Sequence, residues 1–192
     1  GEGGVVHGQA AGMAKGDSPR RMTVNTLFRR ASVTKPMVST AAMALVGGGQ
    51  LQLDDPVSRW LPDLRPTLAD GTPASISVRQ LLSHTAGLGY RFLEENSDGP
   101  YARAGVSDGM DDSGLTLAEN IRRIASVPLL YSPGSAWCYS LGIDVLGAVI
   151  EQVQGEPLDN AVSTLVTGPL GMTATGFYAP AGREVAIAYV NG

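Results

Sequence analysis

The spacing of hydrophobic and polar residues predicts one strand near the start of the chain and mostly helices after it. Residues 5–14 read as a strand of small residues, although the GEGG turn before them has no preceding strand to pair with. Residues 39–49 are rich in Ala, Leu and Met and end in three glycines, which predicts a helix and its stop. Residues 141–155 carry apolar side chains at 143, 146, 149, 150 and 153, the spacing of an amphipathic helix that Gly155 closes.

Shorter helices are predicted from their capping signals. Asp55 and Pro56 are a candidate cap and first residue, Ser77 is a candidate cap, and Thr116 with Glu119 forms a capping box. The segments concerned are 53–61, 77–88, 116–128 and 157–166. The polar, Gly- and Asp-rich residues 89–114 are predicted to form a long loop, a kind of segment that is often functional. Residues 184–190 are predicted to be a strand.

This order of elements indicates an α+β fold with a helical subdomain inserted after the first strand. We expect residues 1–50 to be the N-terminal part of an α/β domain and residues 51–180 to be a mostly helical subdomain. Residues 181–192 would return to the α/β domain.

Composition narrows the classes of function. Hydrophobic residues make up 43% of the 192 residues, enough for a core, and the net charge is −4 with no basic stripe. That charge argues against nucleic acid and anionic membranes as partners. We expect no membrane span, because no apolar run approaches ~20 residues. The single cysteine excludes an internal disulfide framework, and without signal-peptide features at the N-terminus we expect a cytoplasmic location.

The stretch FRRASVTKPM, residues 28–37, places a serine and a lysine one helical turn apart. Proline is tolerated in the first turn of a helix, so Pro36 predicts a helix start near Ser32 or Val33. Lys35 then lies on the same face as Ser32, within reach of its hydroxyl. A lysine in an apolar pocket can have a lowered pKa, and it can then take the serine proton itself or tune another base. By chance alone Ser-x-x-Lys occurs about once in a chain of this length, so a helix cap beside an ordinary lysine is the alternative.

Four stretches in order, TLFRRASVTKPM, LLSHTAGL, YSPGSAWCYS and PLGMTATGF, resemble the penicillin-recognising enzymes of the serine β-lactamase-related superfamily. The similarity is greatest to its class C-like branch and to the bacterial family VIII carboxylesterases, and it runs from about residue 5 to the end of the chain. The resemblance implies an antiparallel sheet flanked by helices plus a mostly helical subdomain. It also implies that Ser32 and Lys35 are the family's Ser-x-x-Lys pair.

The same resemblance assigns Tyr139, in CYSLG, to the family's second catalytic element. A phenol near an ammonium can accept the serine proton and return it to the leaving alcohol, and whether Lys35 or Tyr139 is the formal base stays open. The alternative is that Tyr139 only packs beside Trp137. Lactamases and peptidases of the family usually carry Asn where this chain has Leu141, which suggests a more apolar pocket and simple acyl groups. Trp137 either lines that pocket or packs.

Other candidates are weaker. With two histidines and no Gly-x-Ser-x-Gly stretch, a Ser-His-Asp triad is disfavoured. The family resemblance implies that the His84 ring caps or braces its turn. Cys138 reads as a small apolar residue. The acidic residues lack the spacing of a metal site, and we expect no cofactor.

The resemblance thus implies a serine hydrolase that cleaves short-chain carboxylic esters through an acyl-enzyme on Ser32. The alternatives are a β-lactamase or D-amino-acid peptidase, and a non-catalytic penicillin-binding-like or partner-binding relative. The family's third motif, on a late strand, is absent after residue 180. We therefore expect a complementary C-terminal polypeptide, or a continuation of the chain, to complete the sheet.

Overall fold

Helices make up most of the regular structure. The computed structural model describes residues 7–16, 19–111 and 113–187. The α-helices of these residues are α1 Thr34–Gly47, α2 Val78–Leu82, α3 Pro100–Arg103, α4 Leu117–Ala125, α5 Gly142–Gln154 and α6 Leu158–Val162. None of these helices is long and apolar enough to cross a membrane.

The start of α1 follows the sequence prediction. A 3₁₀ turn, Ala31–Val33, leads directly into the helix, and Pro36 lies in the first α-helical turn, where its missing N–H costs no hydrogen bond. The helix ends at Gly47, the first of the three glycines. The predicted helix start near Ser32 or Val33 is therefore confirmed.

The predicted caps are partly confirmed. Ser77 forms a full capping box with Gln80 at the start of α2, and Gly155 ends α5 in the left-handed conformation at φ 67°. The Thr116 hydroxyl accepts the Glu119 N–H, but the Glu119 carboxylate pairs with arginines one turn on instead of completing the box. At the next candidate, Pro56 itself is the cap of a 3₁₀ turn, Val57–Arg59, so Asp55 was wrongly predicted as its cap.

Helix α5 is the centre of the hydrophobic core. From Gly142 to Ile150 every residue except Asp144 is buried. The helix packs against α1, α2, α4 and α6, and the buried cluster runs from Val38 to Val166. Each fully buried Leu, Ile or Val side chain stabilises the fold by about 1.5–3 kcal/mol. One core thus takes side chains from residues 1–50 and 51–180, and the predicted division of the chain at residue 50 remains a prediction.

The predicted strands are not formed as strands in the described part of the chain. There, β-pairing consists of isolated bridges, among them an antiparallel one between Met13 and Arg21 and a parallel one between Leu27 and Val185. Residues 5–6 and 188–190 of the two predicted strands lie outside the described residues. Within residues 7–16, 19–111 and 113–187, an antiparallel sheet is therefore not observed. A strand needs a partner along its whole length for its backbone groups, and these segments find one only at single points.

Two further predictions need correction. Residues 89–114, predicted as an uninterrupted loop, contain a 3₁₀ turn, Arg91–Leu93, and helix α3. The helix predicted over 157–166 is α6 followed by a π-helical turn, Ser163–Thr167.

Candidate active site

Three predicted side chains, from Ser32, Lys35 and Tyr139, meet at one point. The Lys35 Nζ donates a hydrogen bond to the Ser32 Oγ at 3.3 Å, and the Tyr139 hydroxyl donates to the same oxygen at 2.9 Å. The Lys35 Nζ also lies 4.7 Å from the centroid of the Tyr139 ring. Ser32 is exposed, so its hydroxyl has a charged group and a phenol beside it and open space in front.

The local fold explains this meeting. Ser32 lies in the 3₁₀ turn and Lys35 in the first turn of α1, so a spacing of three residues places them on one face. Tyr139 comes from the loop that precedes α5, 107 residues along the chain from Ser32. Because α5 packs against α1, that loop is held beside the start of α1.

Tyr90 is a second tyrosine of the site. It is 4% exposed, its ring stacks on Phe92 at 4.6 Å, and it lies 5.5 Å from the Tyr139 ring. The Lys35 Nζ is 5.4 Å from the Tyr90 centroid, so the ammonium contacts two phenol rings, an arrangement that stabilises a cation. Tyr90 was not predicted from the sequence. Its only signal was its place at the start of the polar segment 89–114.

The surroundings of Lys35 shift its pKa in the direction opposite to the one expected from the sequence. Burial by itself would lower the pKa of Lys35, but hydrogen bonding to Tyr139 and Tyr90 outweighs it, and the pKa is raised. The expected lowering of the lysine pKa is therefore wrong, because the pocket wall is phenolic and not purely apolar. Burial opposes ionisation of Tyr139, but its hydrogen bonding with Lys35 and Ser32 prevails and lowers its pKa.

The pKa values of Tyr90 and Tyr139 are shifted in opposite directions. The pKa of Tyr90 is raised, chiefly by burial, whereas that of Tyr139 is lowered. Tyr139 is consequently the phenol that ionises more readily, beside an ammonium that keeps its proton. The arrangement suits Tyr139 as proton acceptor and Lys35 as its fixed positive charge.

Asp144 is a carboxylate near the site that the sequence reading also missed. It lies in the first turn of α5, and burial raises its pKa to about 6 although the positive charge of Lys35 acts in the opposite direction. In the sequence, Asp144 stands out only as a single acidic residue among the apolar residues of a predicted helix. Among residues 142–150 it is the one residue that is only partly buried.

The two predicted substrate-binding residues occupy different surroundings. Trp137 is 66% exposed and meets the His84 ring edge-on at 6.3 Å, two residues from Tyr139. The Leu141 side chain is 1% exposed and belongs to the core. That placement argues against the predicted contact between Leu141 and an acyl group, because a side chain in the core offers no surface to a substrate.

Comparison with known proteins identifies the family. A statistical description of the Beta-lactamase family matches residues 1–191. The chain belongs to that family. The chain is 48% identical to Esterase EstB of Burkholderia gladioli, a match that covers 99% of this chain and 48% of that protein.

Solved structures of the family share the fold. EstCE1, described as a hydrolase with promiscuous acyltransferase activity, matches with a TM-score of 0.91 and 50% identity over 94% of this chain and 47% of its own. D-amino acid amidase from Ochrobactrum anthropi SV3 matches with a TM-score of 0.67 and 29% identity over 91% and 46%. The predicted β-lactamase/transpeptidase-like fold is thereby confirmed. The chain spans about half the length of these relatives.

Proposed function

We propose that this chain carries the nucleophile and proton-transfer groups of a serine carboxylesterase that cleaves short-chain esters. The observation that carries the proposal is the Ser32 Oγ held at 3.3 Å from an ammonium and 2.9 Å from a phenol whose pKa is lowered. A serine hydroxyl becomes an effective nucleophile only when an adjacent base takes its proton. The similarity to Esterase EstB supports an ester as the substrate.

The proposed reaction has two halves. The ionised Tyr139 takes the Ser32 proton while Ser32 Oγ forms a bond to the ester carbonyl carbon, and the carbonyl oxygen becomes an oxyanion. The C–O bond to the alcohol then breaks, and Tyr139 returns its proton to the leaving alkoxide. In the second half, water forms a bond to the acyl carbon while its proton passes to Tyr139. The bond from that carbon to Ser32 Oγ then breaks, Tyr139 returns the proton to Ser32 Oγ, and the carboxylic acid leaves.

The other groups stabilise charge in this scheme. The Lys35 ammonium stays protonated and favours the Tyr139 phenolate in both halves. The Ser32 backbone N–H would supply one donor to the oxyanion, a contribution typically worth about 10²–10³ in kcat.

Tyr139→Phe tests the proton-transfer role. The change keeps the ring and removes the acceptor, so kcat on a p-nitrophenyl ester should fall by about 10²–10⁴-fold with little change in Tm. Tyr131→Phe is the matched control, because the Tyr131 hydroxyl is buried without a hydrogen-bond partner in the described part of the chain. Activity of Tyr139→Phe within about threefold of the parent would contradict the role.

Covalent labelling tests the nucleophile. A fluorophosphonate should label Ser32, as mapped by peptide mass spectrometry, and Ser32→Ala should abolish labelling. A label on another residue would contradict the assignment. A non-catalytic relative would show neither labelling nor a burst of product.

Substrate ranking separates the enzyme classes. We expect p-nitrophenyl esters of about C2 to C6 acids to be cleaved faster than nitrocefin or D-Ala peptides, on the strength of the exposed Trp137 beside the site and the similarity to Esterase EstB. The reverse ranking would favour a β-lactamase or D-amino-acid peptidase.

A groove beside Ser32 supports the proposal of a complementary polypeptide. Its volume is about 1520 Å³, and its lining includes four apolar or aromatic side chains that are more than 40% exposed, together with three arginines. These are Phe28, Val33, Phe177 and Tyr178, and Arg29, Arg30 and Arg183. Exposed apolar side chains gathered in a groove are typical of a site that binds another polypeptide or a ligand. We propose that polypeptide C-terminal to this chain, or a second chain, covers it and extends the predicted sheet.

Backbone pairing near the groove supports the same proposal. The Ala186 N–H donates to the Leu27 carbonyl at 2.8 Å, and the Ile187 N–H donates to the Ala14 carbonyl at 3.1 Å. The second of these bonds joins the two predicted strand regions at one point. Size exclusion and intact mass spectrometry test the idea: a folded, fully active species of 19.9 kDa would show that no complement is needed.

A further inference from the structure

His84 contacts the backbone on both sides of Tyr139. Its carbonyl oxygen accepts the Cys138 N–H at 3.0 Å, and its ring Nδ1 accepts the Ser140 N–H at 3.2 Å. A backbone N–H can only donate, so Nδ1 must carry a free lone pair. The same Nδ1 lies 3.3 Å from the Ser140 Oγ, a hydroxyl that can also donate to it, so both contacts fit a neutral ring with its proton on Nε2.

The backbone of His84 is held in an uncommon conformation. Its φ of 56° is the one positive value at a non-glycine position in the described part of the chain. Such conformations are strained and persist where the surroundings impose them, often at functional sites. In this conformation the His84 carbonyl oxygen and ring Nδ1 both accept hydrogen bonds from the loop that carries Tyr139. The centroid of the His84 ring lies 4.9 Å from the centroid of the Tyr139 ring.

We propose that His84 is a positioning residue for Tyr139, and that its neutral ring fixes the loop that holds the phenol against Ser32. Protonation turns Nδ1 into a donor and removes the acceptor of the Ser140 N–H, which belongs to a residue only 1% exposed. The loop must then move to find another acceptor, and Tyr139 moves with it. The expected effect on acylation rests on the proposed role of Ser32 as nucleophile. The protonation state of the His84 ring does not depend on that role.

The charges around His84 fit a neutral ring. Burial lowers the pKa of His84, and the nearby Lys35 ammonium lowers it further. The other titratable groups about this cluster are Tyr139, Cys138, Tyr90 on the loop after α2, and Asp144 on α5. Asp144 also titrates in acid, so a pH effect must be traced to one of the two by substitution.

Two substitutions separate the acceptor from the backbone conformation. His84→Asn tolerates positive φ and offers an amide oxygen near the position of Nδ1, but does not titrate. His84→Gly also tolerates positive φ and offers no acceptor. Both leave Asp144 unchanged. Comparing them therefore isolates the hydrogen bond to the Ser140 N–H.

Imidazole ¹⁵N NMR tests the ring directly. The chain has two histidines, and His7, which is exposed, serves as internal reference, while the signal lost in His84→Asn identifies His84. We expect the Nε2–H tautomer at pH 8 and protonation at a pH below 6.5. An Nδ1–H tautomer or an imidazolium at pH 8 would overturn the proposal.

The fluorophosphonate labelling rate of Ser32 tests the consequence. His84→Gly should label about 10²-fold more slowly at pH 8, since small misplacements of reacting groups cost about that much, and His84→Asn should recover most of the rate. The parent should lose labelling as the ring protonates, and His84→Asn should lack that step. Equal rates for parent and His84→Gly, or the same acid step in His84→Asn, would overturn the proposal. Absence of labelling in every protein would refute the Ser32 chemistry, and the NMR result would still decide the tautomer.

Discussion

Replacing Asp144 by Asn should stabilise the protein at neutral and alkaline pH. The carboxylate lies in the first turn of the most buried helix, and burial raises its pKa to about 6 from an ordinary value of 3.8. An isosteric amide keeps the shape of the side chain and removes the charge. The change therefore measures what it costs to keep an ionised carboxylate at this position.

The size and sign of the effect follow from the pKa. The folded state binds the proton more tightly than the unfolded state, so the stabilisation from the neutral form is complete below about pH 4 and is lost as pH rises through about 6. A rise from 3.8 to about 6 corresponds to about 3 kcal/mol of unfolding free energy at pH 8. Asp144→Asn should thus be about 3 kcal/mol more stable than the parent at pH 8 and nearly equal to it at pH 4.

Urea unfolding of both proteins at pH 4, 6 and 8 measures this difference. Asp63→Asn is the control, because it removes the same charge from an exposed position and should stay within about 0.5 kcal/mol of the parent. A difference that is the same at pH 4 and pH 8 would refute the reasoning, as would a less stable Asp144→Asn at pH 8. Either result would mean that the carboxylate is hydrated or paired and costs nothing.

Three other predictions concern packing and pH. Tyr101→Phe should lower the free energy of unfolding by about 1–3 kcal/mol, because the buried Gly89 N–H loses the hydroxyl that accepts it at 2.8 Å; an unchanged urea midpoint would contradict this. Gly87→Ala should cost clearly more than Gly71→Ala: both glycines have positive φ, but only at position 87 would a Cβ come within 2.4 Å of a carbonyl oxygen. Equal losses in thermal unfolding would show that the close approach is relieved. The acylation rate should rise with pH to a midpoint below 10.0, because the pKa of Tyr139 is lowered, and a pH–rate profile of Tyr139→Phe should lack that step.

The part of the site that local geometry controls could be predicted from the sequence. Pro36 indicated where α1 starts, and a spacing of three residues then placed Ser32 and Lys35 on one face. The contact with Tyr139 depends on α5 packing against α1, which no local signal contains. Only the resemblance of separate motifs to a family supplied that residue.

The environment of each group could not be predicted. Burial of Lys35 was expected to lower its pKa, but the two phenols that surround its ammonium come from distant segments and reverse the direction. Leu141 was identified by its position in a motif, yet its side chain points into the core. The strands were predicted from short apolar runs, whose pairing depends on partners far along the chain.

The segment 84–90 connects these observations, because it supports the site without containing the nucleophile. His84 holds the backbone on both sides of Tyr139, and the Gly89 carbonyl accepts the Leu141 N–H at 3.2 Å, where the loop enters α5. Tyr90, the last residue of the segment, contacts the Lys35 ammonium.

The same short segment therefore fixes the proton acceptor and one wall of the lysine site. A shift of this segment would move Tyr139 and Tyr90 together relative to the start of α1. Substitutions in it should consequently change the rate of acylation even where they leave Ser32, Lys35 and Tyr139 intact, and His84 is the position at which that coupling depends on a single proton.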